Sequence, residues 1–179
     1  TEDSGPKYIN TPQTILYDKS RHVFGLHAAK EAIRTSGFVV IVEGNMDVIS
    51  THQAGYKNVV ATAGTAMTGF QIKALQRLTT DIRLCFDQDA AGVAAAERAI
   101  DVAQAAGVQL SIVSLPEGKD PDELIQKNVA LWEEAIHSPV YAVDWLIDRY
   151  KEQFDITSAS GKRKFSDALA HIVNSLHDS

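Results

Sequence analysis

Phe38-Val39-Val40-Ile41-Val42 is an unbroken apolar run between a helical stretch and a glycine-bearing turn. A strand with one face in water alternates apolar and polar residues. An unbroken run belongs to a strand buried on both faces, as in parallel sheets covered by helices on each side. The neighbouring sequence repeats the theme. Residues 23–36 carry Phe24, Ala28, Ala32 and Ile33 at helical spacing, and Gly37 is placed to stop that helix. After the run, the pattern predicts a helix over about 46–54 ending at Gly55, a strand over 58–61 and a helix over 68–78. It then predicts a strand over 82–86, an Ala-rich helix over 90–106 closed by Gly107, and a strand over 109–114. This alternation predicts an α/β fold with about four parallel strands and helices on both faces. Residues 1–22, with Pro6 and Pro12, read as an irregular entry segment. Past about residue 121 the pattern is wholly helical, around Leu131-Trp132-Ala135-Ile136, Val140-Val143-Trp145-Leu146-Tyr150 and Phe165-Leu169-Ile172-Val173-Leu176. The expected division is an entry part over 1–37, an α/β domain over 38–127 and a helical part over 128–179.

In a parallel α/β sheet, ligands bind beyond the carboxyl ends of the strands. Three acidic pairs fall there: Glu43 and Asp47, Asp87 and Asp89, and Asp120 and Asp122. Each acid has an ordinary reading by itself. Asp47 suits the first turn of a helix, Asp89 suits a helix cap, and Asp120 before Pro121 suits an N-cap. Glu43 could be a plain strand-end residue. Three paired acids on one edge are a different matter, because gathered carboxylates repel one another and resist desolvation. A divalent cation removes that cost, and Mg²⁺ prefers oxygen ligands. Asp87 and Asp89, two residues apart in extended chain, can reach one ion. The small Ala90, Ala91 and Gly92 let the next helix start close by.

Composition sets the limits. The chain has 179 residues, a net charge of -6 and a hydrophobic content of 45%, ordinary values for a globular protein. The acidic balance argues against a generic basic nucleic-acid coat, but not against nucleic-acid chemistry at a metal site. One cysteine, Cys85, excludes an intrachain disulfide and a Cys-based zinc cluster, and it reads as a small buried core residue. No apolar stretch is long enough to span a bilayer, and the start Thr-Glu-Asp-Ser-Gly-Pro has no signal-peptide character. A cytoplasmic setting without membrane contact is expected. A start without Met suggests a piece of something longer. Trp132 and Trp145 lie among helical apolar residues and read as core. Lys162-Arg163-Lys164 reads as a solvated helix face. The six histidines show no ligand spacing.

Glu-Gly-Asn-Met-Asp-Val, Asp-Gln-Asp-Ala-Ala-Gly and Lys-Asp-Pro-Asp-Glu-Leu together resemble the Toprim fold, and more narrowly the catalytic core of bacterial DnaG-type DNA primases. Lys7-Tyr8-Ile9-Asn10-Thr11-Pro12 and Asp18-Lys19-Ser20-Arg21 resemble the primase segment ahead of that fold. The likeness covers about 6–127. Asn45 stands where the family commonly has Tyr, which implies a local packing change. The resemblance implies synthesis of short RNA primers on single-stranded DNA from ribonucleoside triphosphates, with an RNA–DNA hybrid as product. It implies Mg²⁺, with Mn²⁺ as substitute, held by Glu43, Asp47, Asp87, Asp89, Asp120 and Asp122. Glu43, Asp87 and Asp89 would be catalytic, with Glu43 as ligand or base. Lys7, Lys19 and Arg21 would contact phosphates, and Gly64 and Thr65 the nucleotide or template. A complete primase of this type also has a zinc-binding domain, a basic subdomain and a helicase-binding domain, so the replicative helicase is expected to bind a domain absent from this chain.

Other readings remain at this stage. A Toprim-type nuclease or a non-catalytic metal-binding interaction module would use the same acids. A phosphatase with Asp87 as nucleophile leaves Glu43 and Asp47 unexplained. A topoisomerase needs a nucleophilic tyrosine for which no constellation is visible.

Overall fold

β1 (Phe38–Val42) is the strand around which the chain is assembled, and all five of its residues are buried. The structure, a computed structural model, describes residues 14, 15, 17–62, 66–87, 89–118 and 120–177. β1 pairs in parallel with β2 (Val59–Ala61) on one side and β3 (Asp81–Cys85) on the other. β4 (Gln109–Ile112) continues the parallel sheet beyond β3. The order is β2-β1-β3-β4-β5, and the last strand, β5 (Val140–Tyr141), runs antiparallel to β4. The sequence pattern does not predict β5. Its two residues are exposed, too few for an alternation, and they lie in what reads as the start of a helix.

The alternating side chains of β1 feed two cores. Val39 and Ile41 join Ile33 of α1 (Leu26–Ser36), Ile72 and Leu75 of α3 (Gly69–Gln76), Ile100 of α4 (Ala90–Ala105) and Leu146 of α7 (Ala142–Gln153). Phe38, Val40 and Val42 join Val48 of α2 (Asn45–Gln53), Leu124 of α5 (Pro121–Lys127), and Trp132 and Ile136 of α6 (Val129–His137). Each fully buried side chain of this size stabilises the fold by about 1.5–3 kcal/mol, so a strand apolar on both faces requires both helical layers. α6 therefore packs on the sheet itself, although its sequence reads only as one more helix after the α/β alternation. α8 (Ala159–His177) is the last described helix, with Ile172 in the first core.

The expected core residues are where the pattern puts them. Trp132 is 0% exposed and Trp145 6%, and Cys85 is buried. Lys162, Arg163 and Lys164 are exposed on α8. Gly37 ends α1 with φ 79°, in the left-handed region that glycine adopts without strain. The register then sets the site. Val42 lies opposite both Ala61 and Cys85, so β1, β2 and β3 end level and their following loops share one edge.

Candidate functional site

Glu43 is the first residue beyond β1, and Asp87 is the second beyond β3. Level strand ends bring them together. The Glu43 carboxylate accepts a hydrogen bond from the backbone N–H of Asp87 at 3.1 Å. Asp89 caps α4, its Oδ1 accepting from the Gly92 N–H at 2.9 Å. The tight turn depends on Gly92, where a Cβ would sit 1.8 Å from the Asp87 carbonyl oxygen.

The other three acids meet between α2 and α5. Asp47, in the first turn of α2, is 8% exposed. Its carboxylate accepts from the Gly44 N–H at 3.1 Å and from the Asp122 N–H at 3.4 Å. Asp120 caps α5 by accepting from the Glu123 N–H at 2.8 Å, with Pro121 behind it in the first turn. Asp122 accepts from the Ser50 hydroxyl and from Gln126 Nε2, the latter at 2.9 Å. Ser50 and Gln126 are absent from the sequence reading. Ser50 is three residues after Asp47 and so shares its helix face, but its partner Asp122 lies 72 residues away.

Electrostatics joins the two groups. Shielding from water pushes the Glu43 carboxyl up, and the charges of Asp87 and Asp89 add to this against the pull of the Asp87 amide. Burial pushes Asp47 up to about 6, with Asp120 and Asp122 adding repulsion and the Gly44 and Asp122 amides opposing it. Asp87 is raised by desolvation, then by Asp89 and Asp120. Burial raises the Cys85 thiol, and it also feels Asp47, Asp87, Glu43 and Asp120. One side chain at the end of β3 thus senses both groups of acids.

Among the described residues, no three acidic, His or Cys side chains already converge as a finished metal cage. Repelling carboxylates turn instead to amide N–H donors. The donor set is nevertheless the one a hard cation selects, oxygen without thiolate or imidazole. In the same turn the Asn45 side-chain oxygen is buried and has no hydrogen-bond donor. The residues fit a divalent cation by chemistry and charge.

Of the basic and loop residues singled out in the sequence, Lys7, Gly64 and Thr65 lie outside the described residues. Lys19 and Arg21 occupy a loop fastened to α3. Gln71 Nε2 donates to the carbonyls of Lys19 at 3.3 Å and His22 at 2.9 Å, and the Thr68 hydroxyl donates to that of Ser20. Phe24 bridges Ala61 antiparallel at the end of β2, so the loop that precedes it lies on the carboxyl side of the sheet, the side that bears the acids.

A family model described as Toprim-like matches residues 40–125, and one described as the DnaB-helicase binding domain of primase matches 143–179. The DNA primase of Clostridium acetobutylicum is 37% identical over 177 residues, covering 98% of this chain and 29% of that protein. The Synechococcus elongatus DNA primase is 40% identical over 179 residues, covering 96% and 26%. The DnaG primase catalytic domain solved with single-stranded DNA superposes with a TM-score of 0.81 at 30% identity, covering 98% of this chain and 58% of that one. The RNA polymerase domain of the Mycobacterium tuberculosis primase DnaG gives 0.82 at 31%, covering 99% and 58%. The fold and its acidic edge therefore define a Toprim-like domain. The chain belongs to the bacterial DnaG-type DNA primases, within the part that forms their catalytic core. It spans less than a third of the length of the curated relatives it matches. The match over 143–179 corrects one expectation: the similarity to a helicase-binding domain lies within this chain, in α7 and α8. Those helices carry no short motif, so residue spacing alone could not signal it. No described helix is long and apolar enough to cross a membrane.

Proposed function

We propose that this chain carries the acidic centre at which a primase joins ribonucleotides into a short RNA primer on a single-stranded DNA template. The observation that carries the reading is the gathering of carboxylates just beyond β1 and β3 and at the N-termini of α2, α4 and α5 along one sheet edge, where burial and then mutual repulsion raise Glu43, Asp47 and Asp87. The solved relative with single-stranded DNA supports the choice of template.

In this reading Glu43, Asp87 and Asp89 form the catalytic group, and Asp47, Asp120 and Asp122 the neighbouring one. Together they hold Mg²⁺, or Mn²⁺ in its place, which supplies charge neutralisation and activation of a hydroxyl when bound. Asp89 and Asp120 are held by their capping bonds, and Asp122 by Ser50 and Gln126, so the oxygens are oriented before substrate arrives. Glu43, raised by its burial and then by Asp87 and Asp89, would take up a proton from the attacking 3′-hydroxyl or stay a ligand. Lys19 and Arg21, with Lys7, Gly64 and Thr65, are proposed to contact phosphates of the template or of the incoming ribonucleoside triphosphate. The RNA–DNA hybrid leaves over the same edge. The functional division is 1–37, 38–127 and 128–179, with 143–179 meeting the replicative helicase.

The test is primer synthesis on single-stranded DNA with ribonucleotides and Mg²⁺ or Mn²⁺, using the protein extended by its family's basic subdomain. RNA is expected from the parent and none from Asp87→Ala. Equal yields from the two would defeat the proposal. Titration of the chain itself with Mn²⁺ should show binding that Asp87→Ala weakens.

A further inference from the structure

We propose that Phe70, flanked by Arg21 and Lys73, is a base-stacking platform for the single-stranded DNA template beside the acidic edge. The inference rests on the template reading above and extends it to the first two turns of α3. α3 buries Gln71, Ile72 and Leu75 and leaves Phe70 outside, 54% exposed. Among the described residues this is the most exposed Phe, Tyr or Trp. A lone exposed apolar residue is unremarkable, but the surroundings of this one are specific. The Arg21 guanidinium lies over its ring, 4.3 Å from the centroid. An open groove of about 430 Å³ runs along it, lined by Ser20, Thr68, Gly69, Phe70 and Lys73.

The chemistry selects the occupant. A ring face meets a nucleobase by stacking, and a neighbouring guanidinium adds to that contact while staying within reach of phosphate. Lys73 is exposed and forms no ion pair among the described residues. Arg21 is shared with Asp18 at 3.5 Å, and Lys19 stands on the same fastened loop. The chain's charge of -6 and its acid-rich edge repel a polyanion, so a strand approaching that edge needs a cationic foothold close by. Duplex DNA keeps its base faces covered and gains nothing from Phe70, so the strand that fits is single. The Gln71 bonds to the carbonyls of Lys19 and His22 hold Arg21 and α3 in one frame, so the platform is built before a strand arrives.

The test is fluorescence anisotropy with labelled oligo(dT) and with a duplex of equal length. Phe70→Ala is expected to raise Kd for oligo(dT) about tenfold, in line with the loss of one stacked base, with duplex binding and melting temperature unchanged. Lys73→Ala should lower the salt slope by about 0.7, one phosphate contact on a single strand. Phe70→Trp adds one exposed indole to a chain whose own two are buried, and oligo(dT) should quench it. An unchanged Kd for Phe70→Ala, an equal loss on duplex, or an unquenched Phe70→Trp would overturn the platform while leaving the template reading intact. Failure of the parent chain to bind oligo(dT) would overturn both.

Discussion

Asp47→Asn should stabilise the metal-free chain at neutral pH and do nearly nothing in acid. Asp47 is 8% exposed, and its burial pushes the carboxyl up to about 6, against an ordinary 3.8. Its folded value lies above its unfolded one, so the neutral form is favoured by the fold. Stability is then full below about pH 3.8 and is lost as pH rises towards about 6. Linkage puts the loss at about 3 kcal/mol above pH 7 and about 1 kcal/mol at pH 4.5. Asn removes that loss but keeps only one side-chain oxygen for the Gly44 and Asp122 amides, which gives back about 1 kcal/mol. The net gain is about 2 kcal/mol at pH 7.5, a rise in Tm of roughly 4–8 °C for a chain of this size. Urea and thermal unfolding in EDTA at pH 7.5 and 4.5 measure it. With Mg²⁺ or Mn²⁺ added, the order should invert, because ligand binding stabilises the parent by mass action more than the variant. A variant that is equally destabilised at both pH values in EDTA would refute the reasoning, since repulsion and burial would then not govern Asp47.

Gly92→Ala should destabilise the chain by about 3 kcal/mol or more and weaken Mn²⁺ binding, because the added Cβ meets the Asp87 carbonyl oxygen at 1.8 Å; unfolding and metal titration measure the two effects. Asp120→Ala should cost about 1 kcal/mol through the lost α5 cap, whereas Asp120→Asn keeps the cap, removes a charge from beside Asp47 and Asp87, and should be neutral or stabilising in EDTA. Arg83→Lys should lose about 2 kcal/mol and roughly 4–8 °C in Tm, since Lys cannot reproduce the paired bonds to Asp81 at 3.1 and 2.7 Å, the bond to the Ile136 carbonyl and the stack 3.7 Å above Phe38.

Much of the architecture is legible in the chain because burial on both faces leaves a mark no loop imitates: five apolar residues in a row at Phe38–Val42, then helices ended by Gly37, Gly55 and Gly107. What the pattern cannot give is partnership. Trp132 and Ile136 define an apolar helix face, yet only the tertiary structure shows that face lying on Phe38 and Val40. β5 has two residues and no period to detect. Phe70 stands out only when its exposure and the Arg21 stack are seen together, and the Ser50–Asp122 bond spans 72 residues.

The acids show why local and global readings of a sequence need not compete. Asp89 and Asp120 are helix caps, and Asp47 and Asp122 are first-turn acids, as their local sequence says. They are also members of one acidic cluster. The first role is what makes the second affordable to the fold. α2, α4 and α5 all begin at the carboxyl edge of the sheet, and each N-terminus supplies partial positive charge and free N–H groups worth about 0.3–1 kcal/mol to a nearby carboxylate. Three such termini offset part of the repulsion that gathering the acids creates. Glu43 follows a strand and has no helix of its own, so it draws on the Asp87 amide instead. Burial first, and the residual repulsion after it, appear as the raised values of Glu43, Asp47 and Asp87, and a divalent cation would relieve both. A fold that neutralised the cluster fully would hold metal poorly. One that left it without helix termini would struggle to close.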